Sequence, residues 1–322
     1  MWLVRSLILV SCLALAVPVS GQGAPLAIRM KTGDTVRYLV ENQIETDVES
    51  MGIRFLTLIE LNQEIELVAR EIPDAGPIKL DLRMQRVWGA ITTPILVAEF
   101  DSLDPKDSYP VAIDSKVRQL LLLSGKTLEV VVQRNGRVAS LKGYAEIYAG
   151  TPLFELLKKD GELLTNASYQ EEVQLLFAPL PSLPLAEGAA WNSAYSFSVF
   201  ERSFLLEPRC EMRELTKASA QWSFSALAEG EKGTVPAAVP AGASKEEPLT
   251  AAGLLAGTKI RSASFQGVST VSLTDGLLEH QTAERVVGAD VPNPLGGPKP
   301  IPTVVTQRIE LRRIRVPSQT AK

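Results

Sequence analysis

A lone histidine, His280, bounds the chemistry this chain can do. A serine or cysteine nucleophile needs a base beside it, and imidazole is the usual one. His280 follows Asp275-Gly276 in an alternating segment, where a solvent-facing polar side chain is expected. No Gly-x-Ser-x-Gly elbow occurs. Zinc, copper and haem sites need several His or Cys ligands converging, and the chain has one histidine and two cysteines. Asp101, Asp104 and Asp107 gather carboxylates of the type calcium uses, but without the glycine and distal glutamate of an EF-hand and with Pro105 between them. They read as solvated loop acids. Ser124-Gly125-Lys126-Thr127 looks like the end of a phosphate-binding loop, yet position 120 is leucine and the order is helix into strand. A glycosidase pair of carboxylates would call for exposed aromatics nearby, whereas two of Trp88, Trp191 and Trp222 fall on alternating strand faces and read as core. No residue is therefore assigned a catalytic, cofactor-binding or metal-binding role, and the chain is expected not to be an enzyme.

The elements that would position any site are strands. Val36, Tyr38 and Val40 share one face of a segment from Thr35 to Glu45; Ile53 to Leu61 and Ile65 to Ala69 continue the pattern, and Ile78 to Gln85 alternates strictly. Such alternation means a sheet with one buried and one wet face, hence antiparallel pairing. Leu128 to Gln133, Asn135-Gly136 and Val138 to Leu141 predict a tight hairpin; Val268 to Thr274, Asp275-Gly276 and Leu277 to Val287 predict a second. Short helices are expected from Ser115, capped by Asp114, to about Leu123, from Thr151 to Gly161, and from a Ser168/Glu171 capping box through Phe177. Pro179, Pro181 and Pro184 form a stiff connector. Gly188 to Trp191 restarts the pattern of Gly33 to Val36, and Thr303 to Val316 closes the chain as an edge strand with Arg308 and Arg312 on its wet side.

The expected fold is mainly β with a few helices: two similar curved antiparallel halves, residues 22–178 and 185–322, joined across the 179–184 connector, with an internal duplication suggested by the two restarts and two turns. The Ala-, Gly- and Pro-rich stretch 229–257 reads as a disordered insertion.

Residues 1–21 have the layout of a secretory signal peptide: Arg5, an apolar run from about Ser6 to Val17, and small residues up to Gly21. Leu9-Val10-Ser11-Cys12 resembles a lipobox, but cleavage there would strand apolar residues at the new terminus. Export to the periplasm or beyond is expected, with lipid anchoring the lesser alternative. The leader takes Cys12 with it, and Cys210 alone cannot form an internal disulfide. With 33 Lys and Arg against 37 Asp and Glu, well mixed, there is no basic face for nucleic acid.

Lys31-Thr32-Gly33-Asp34-Thr35-Val36-Arg37-Tyr38, Phe100-Asp101-Ser102, Leu123-Ser124-Gly125, Val130 to Val138 across the Asn-Gly turn, and Pro184 to Trp191 occur in this order. The chain thereby resembles a family of secreted bacterial proteins carrying a domain of unknown function. The resemblance implies export and fold and brings no site residues with it. Two functional readings follow: a structural or interaction protein of the envelope, with packed sheets and an exposed apolar patch or strand edge, for instance along Val304 to Val316; or a carrier of a lipid or other hydrophobe in a half-barrel cavity between sheet and helices.

Overall fold

The computed structural model describes residues 26–104, 115–151, 165–178, 180–181, 185–199, 202–230, 234–235, 257–293 and 299–314. The leader, Asp107, the Asp114 cap, the helix expected from Thr151 to Gly161, most of the connector and most of the 229–257 stretch lie outside these residues.

Eleven strands in a path and one beside it form a single antiparallel sheet. In chain order the strands are β1 (Thr35–Ser50), β2 (Ile53–Glu71), β3 (Ile78–Thr93), β4 (Leu96–Asp101), β5 (Thr127–Val132), β6 (Val138–Lys142), β7 (Ala190–Asn192), β8 (Tyr195–Val199), β9 (Arg202–Leu206), β10 (Arg209–Leu215), β11 (Ser219–Glu229), β12 (Thr234–Val235), β13 (Lys259–Ser272), β14 (Leu278–Val291) and β15 (Ile301–Ile314). The large sheet runs β6-β5-β3-β2-β1-β15-β14-β13-β11-β10-β7, with β4 sharing the outer side of β3 with β5; β12-β9-β8 form a small second sheet. Three helices are described: α1 (Ser115–Leu123), α2 (Tyr144–Tyr148) and α3 (Asn166–Gln174).

One face of the large sheet is apolar. Val36, Tyr38, Leu67, Leu80, Leu82, Val130, Leu311 and Trp222 are buried there, as alternation requires of a sheet covered on one side. At a typical ~1.5–3 kcal/mol for each large apolar side chain removed from water, this layer is the main source of stability. Helix α1 lays Val117, Leu120 and Leu123 against it, three and three apart on one helical face. Tyr144 of α2 stacks on Tyr169 of α3 at 4.5 Å, and β8 stacks Tyr195 on Phe265 at 4.0 Å.

Several expectations are corrected. The closing strand is no edge: β15 pairs with β1 from Arg37/Ile314 to Val48/Thr303 and with β14 on its other side, so it lies mid-sheet and joins the chain's first and last strands in one continuous sheet. Arg308 and Arg312 do face solvent, but alternation reports the wet face and not how many neighbours a strand has. The two hairpins are not equivalent, since β5-β6 ends the sheet while β13-β14 lies inside it, and the internal duplication does not survive that difference. The Asn135-Gly136 turn is looser than a two-residue turn: the Gly136 N–H donates to Gln133 O and the Gln133 N–H to Arg137 O, with positive φ at Gly136 (84°) and not at Asn135. Helix α3 begins at Asn166, so Ser168 lies inside its first turn. Trp191 and Tyr195 belong to different sheets, because the chain leaves the large sheet after Asn192. Within the expected insertion, Thr234 and Val235 pair with Phe204 and Ser203.

The real edge at β6 is protected. Gln174 of α3 accepts from the Val138 N–H (2.8 Å) and donates to Gly136 O (2.9 Å), and Gln170 donates to Val138 O (3.0 Å), so side-chain amides stand in for a further strand.

Candidate functional site

The described side chains weighed for chemistry sit in the following contacts. His280 Nε2 shares a hydrogen bond with Glu310 Oε1 (3.2 Å) on the half-exposed polar face. Asp101 is clamped by Arg86 and accepts from the Leu103 N–H, and the Arg86 hydrogen bond holds its carboxyl below the usual aspartate range. Burial pushes the Cys210 thiol up to about 12, which keeps it protonated and inert. Trp222 is buried with Trp191 edge-on to it at 5.6 Å, and Trp88 lies under the Arg86 guanidinium at 4.7 Å. Among the described residues no three His, Cys, Asp or Glu side chains group to hold a metal.

Three other features present surfaces or unusual chemistry. The first is a cavity of about 1010 Å³, lined from β3 at one flank of the sheet to β10 at the other. By register its side chains, among them Glu41, Gln43, Glu60, Glu284, Arg308 and Glu310, stand on the polar face. Arg308 pairs there with Glu284 (3.1 Å), and Arg312 with Glu41 (2.7 Å). The apolar cavity expected between sheet and helices is thus not what this opening is. On the helix side a cleft of about 30 Å³ touches Tyr195, Phe265, Gln281 and Gln174.

The second feature is the far end of hairpins β1-β2 and β3-β4. Met51 (83% exposed), Ile95 (96%) and Val97 (64%), with Ile53, Phe55 and Leu56, are apolar and in water. Phe55 stands opposite Val48 on the apolar side of the ribbon; on the other side Leu56 stands opposite Asp47, which pairs with Arg54, so that side is mixed. Behind them, on the apolar face, Ile59, Ile44, Val48 and Val305 are only half-buried. Exposed apolar side chains gathered at two hairpin tips make a candidate interaction surface.

The third is Arg285. It sits in the apolar phase of β14 with Gln281, Ala283, Val287 and Ala289, and is 2% exposed. Nη1 donates to Gln307 Oε1 (2.9 Å) and Nη2 to the Tyr195 hydroxyl; the rings of Phe197 (5.1 Å), Tyr195 (5.3 Å) and Phe265 (5.9 Å) flank it. Nε is buried with no hydrogen-bond partner. A charge on the inward phase of an alternating segment is the sequence signal for this residue.

No family model and no curated protein matches the chain. Among solved structures it is similar to lipovitellin, in a structure concerned with lipid–protein interactions, at 10% identity and a TM-score of 0.50, covering 91% of this chain and 26% of that one. This is a likeness of fold. An outer membrane channel from Pseudomonas putida F1 aligns at 8% identity over 89% of this chain and 98% of its own, but its TM-score of 0.23 carries no argument.

Proposed function

We propose that this chain is an exported, non-catalytic protein, akin to the secreted bacterial family it resembles, and that it binds a lipid or similar hydrophobe on the apolar face of its sheet. The observation that carries this is the apolar strip running from half-buried Ile44, Ile59 and Val305 to the exposed tips at Met51 and Ile95. Met51, Ile95 and Val97 are unfavourable in water and favourable against an apolar ligand or lipid surface. The fold likeness to a lipid-binding protein supports the same reading. The reading as a structural or interaction protein of the envelope loses its strand edge, since β15 is paired on both sides, and keeps only the exposed apolar tips at Met51 and Ile95, which serve a protein partner as well.

The test is native mass spectrometry of the purified chain, with solvent extraction of co-purifying molecules and flotation with phosphatidylcholine vesicles. A bound hydrophobe, or flotation lost on Met51→Gln/Ile95→Gln, is the expected result. A clean apo mass with no flotation and no thermal shift from a lipid panel would overturn the proposal.

A further inference from the structure

Met51 stands where neither its own turn nor water favours it. It and Gly52 are the two centres of the β1-β2 turn, both with positive φ (53° and 75°), and Ser50 pairs with Ile53 across them. Asparagine, aspartate or glycine is preferred in such a turn, because an L side chain is strained in the left-handed region. Among the described residues Met51 is the one non-glycine with positive φ. Packing does not compensate, since the residue is 83% exposed. Ile95 repeats the pattern in the β3-β4 turn. Pro94 and Ile95 separate the paired Thr93 and Leu96, and Ile95 is 96% exposed at a position where glycine or a small polar residue is usual.

We infer that the two tips are wedges for a lipid surface and enter the head-group layer of a zwitterionic bilayer. The inference rests on the lipid-binding reading and specifies it: the lipid is met as a surface, and its head groups carry no net charge. Backbone strain kept at an exposed apolar apex is explained by a contact outside the chain. The shape of the tips says which kind. The last β2–β3 pair is Leu58/Thr92 and the last β1–β15 pair Val48/Thr303, so among the described residues the hairpin from Glu49 to Thr57 pairs only with itself. A single lipid molecule is held in a concavity, whereas a projecting knob is covered by a soft layer that closes around it. The unpaired amides along the outer edge of β2 keep the hairpin out of the hydrocarbon interior and limit it to the interface. Two to four residues behind the apices stand Asp47, Glu49 and Glu99; Arg54 is bound to Asp47 (2.8 Å), while Glu49 and Glu99 are exposed. At ~3.3 Å per residue they lie about 7–13 Å from the apices, at head-group depth. An anionic surface repels these carboxylates, and the outward ammonium of a choline or ethanolamine head attracts them. Lys299, exposed ahead of β15, offsets part of their charge. Lys259 and Arg261 lie on β13, four strands from β2, which is about 19 Å at ~4.8 Å a strand and beyond the Debye length of about 8 Å.

The test is flotation of the full chain with vesicles of phosphatidylcholine and with vesicles of phosphatidylcholine mixed with phosphatidylglycerol, beside calorimetry with dihexanoyl phosphatidylcholine kept monomeric. Capture by phosphatidylcholine vesicles is expected, with capture by the mixed vesicles about threefold lower in dilute buffer. High salt and Glu49→Gln/Glu99→Gln should each narrow that gap, and the monomeric lipid should give no heat. Met51→Asn suits the turn better, so it is expected to unfold no more easily than the unaltered chain and to lose capture severalfold. Monomeric lipid bound as tightly as vesicles, or mixed vesicles captured as well as phosphatidylcholine alone, would overturn the inference and leave the lipid reading standing. So would unchanged capture by Met51→Asn, or a loss of stability in it, which would show that the side chain serves the fold. Capture by neither vesicle together with no heat from the monomer would sink both.

Discussion

The two ends of the same strands are built on opposite plans. Where β1 starts, Val36, Tyr38 and Val40 alternate cleanly between core and solvent; past Asn42 the alternation fades into uniformly half-buried positions. At the first end the segment Leu26–Met30 clips the two hairpin turns together: the Ile28 N–H donates to Arg134 O, the Arg29 N–H to Asp275 O, and Arg134 Nη1 returns a bond to Ile28 O. Gly136 and Gly276 are required there, because a Cβ on either would collide with the carbonyl of Ala178 or Ala27. Arg313 adds ion pairs to Asp275 (2.7 Å) and Glu279 (2.9 Å). At the other end the turns carry Met51 and Ile95 into water. Polar satisfaction and close packing at one end hold the sheet, and the apolar surface left at the other is affordable only because of it.

The contrast is sharpest in stability. Leu67→Ala, at a fully buried position of the clipped end, is expected to cost about 2–5 kcal/mol by urea denaturation, from lost burial plus a cavity. Gly136→Ala should cost about 1–3 kcal/mol, combining a positive φ of 84° with the blocked approach of Ala178. Met51→Gln with Ile95→Gln should leave stability within about 0.5 kcal/mol, yet lower capture by lipid vesicles about tenfold. Were the tips to prove essential for folding instead, the division between the ends would be wrong.

The smallest effect concerns Asp101, where β4 leaves the sheet between the two ends. Its folded-state pKa lies below its ordinary value, chiefly through Arg86, so the unfolded chain takes up the proton first on acidification. The stabilisation is therefore complete above about pH 4 and disappears as pH falls through the folded value. Unfolding midpoints of Asp101→Asn and the unaltered chain should differ at pH 6 and draw together as the pH falls below the ordinary aspartate range; a constant gap would mean that the contact is not electrostatic.

The clipped end was largely legible in the sequence. Val36, Tyr38, Leu80 and Leu82 lie on the phase that alternation assigned them, and α1 spans the expected residues, Ser115–Leu123. Pairing was not legible, because β15 looks the same whether it has one neighbour or two; only contact with β1, at the other end of the chain, makes it central. Asp101, expected among loop acids, ends a strand, Leu96–Asp101, that pairs with β3 across a short turn, Thr93 Oγ1 accepting from the Leu96 N–H. The candidate site escaped for a related reason. Arg285 becomes unusual only when Tyr195, Phe197 and Gln307, brought in from two other strands, surround it.

The most direct test of the central claim is hydrogen exchange on the purified chain with and without a saturating lipid. Protection is predicted along 44–59, 91–97 and 301–307, with the clipped end, already protected, unchanged. Protection confined to the polar cavity, at Glu41, Glu284 and Arg308, would contradict it and place binding on the opposite face of the sheet.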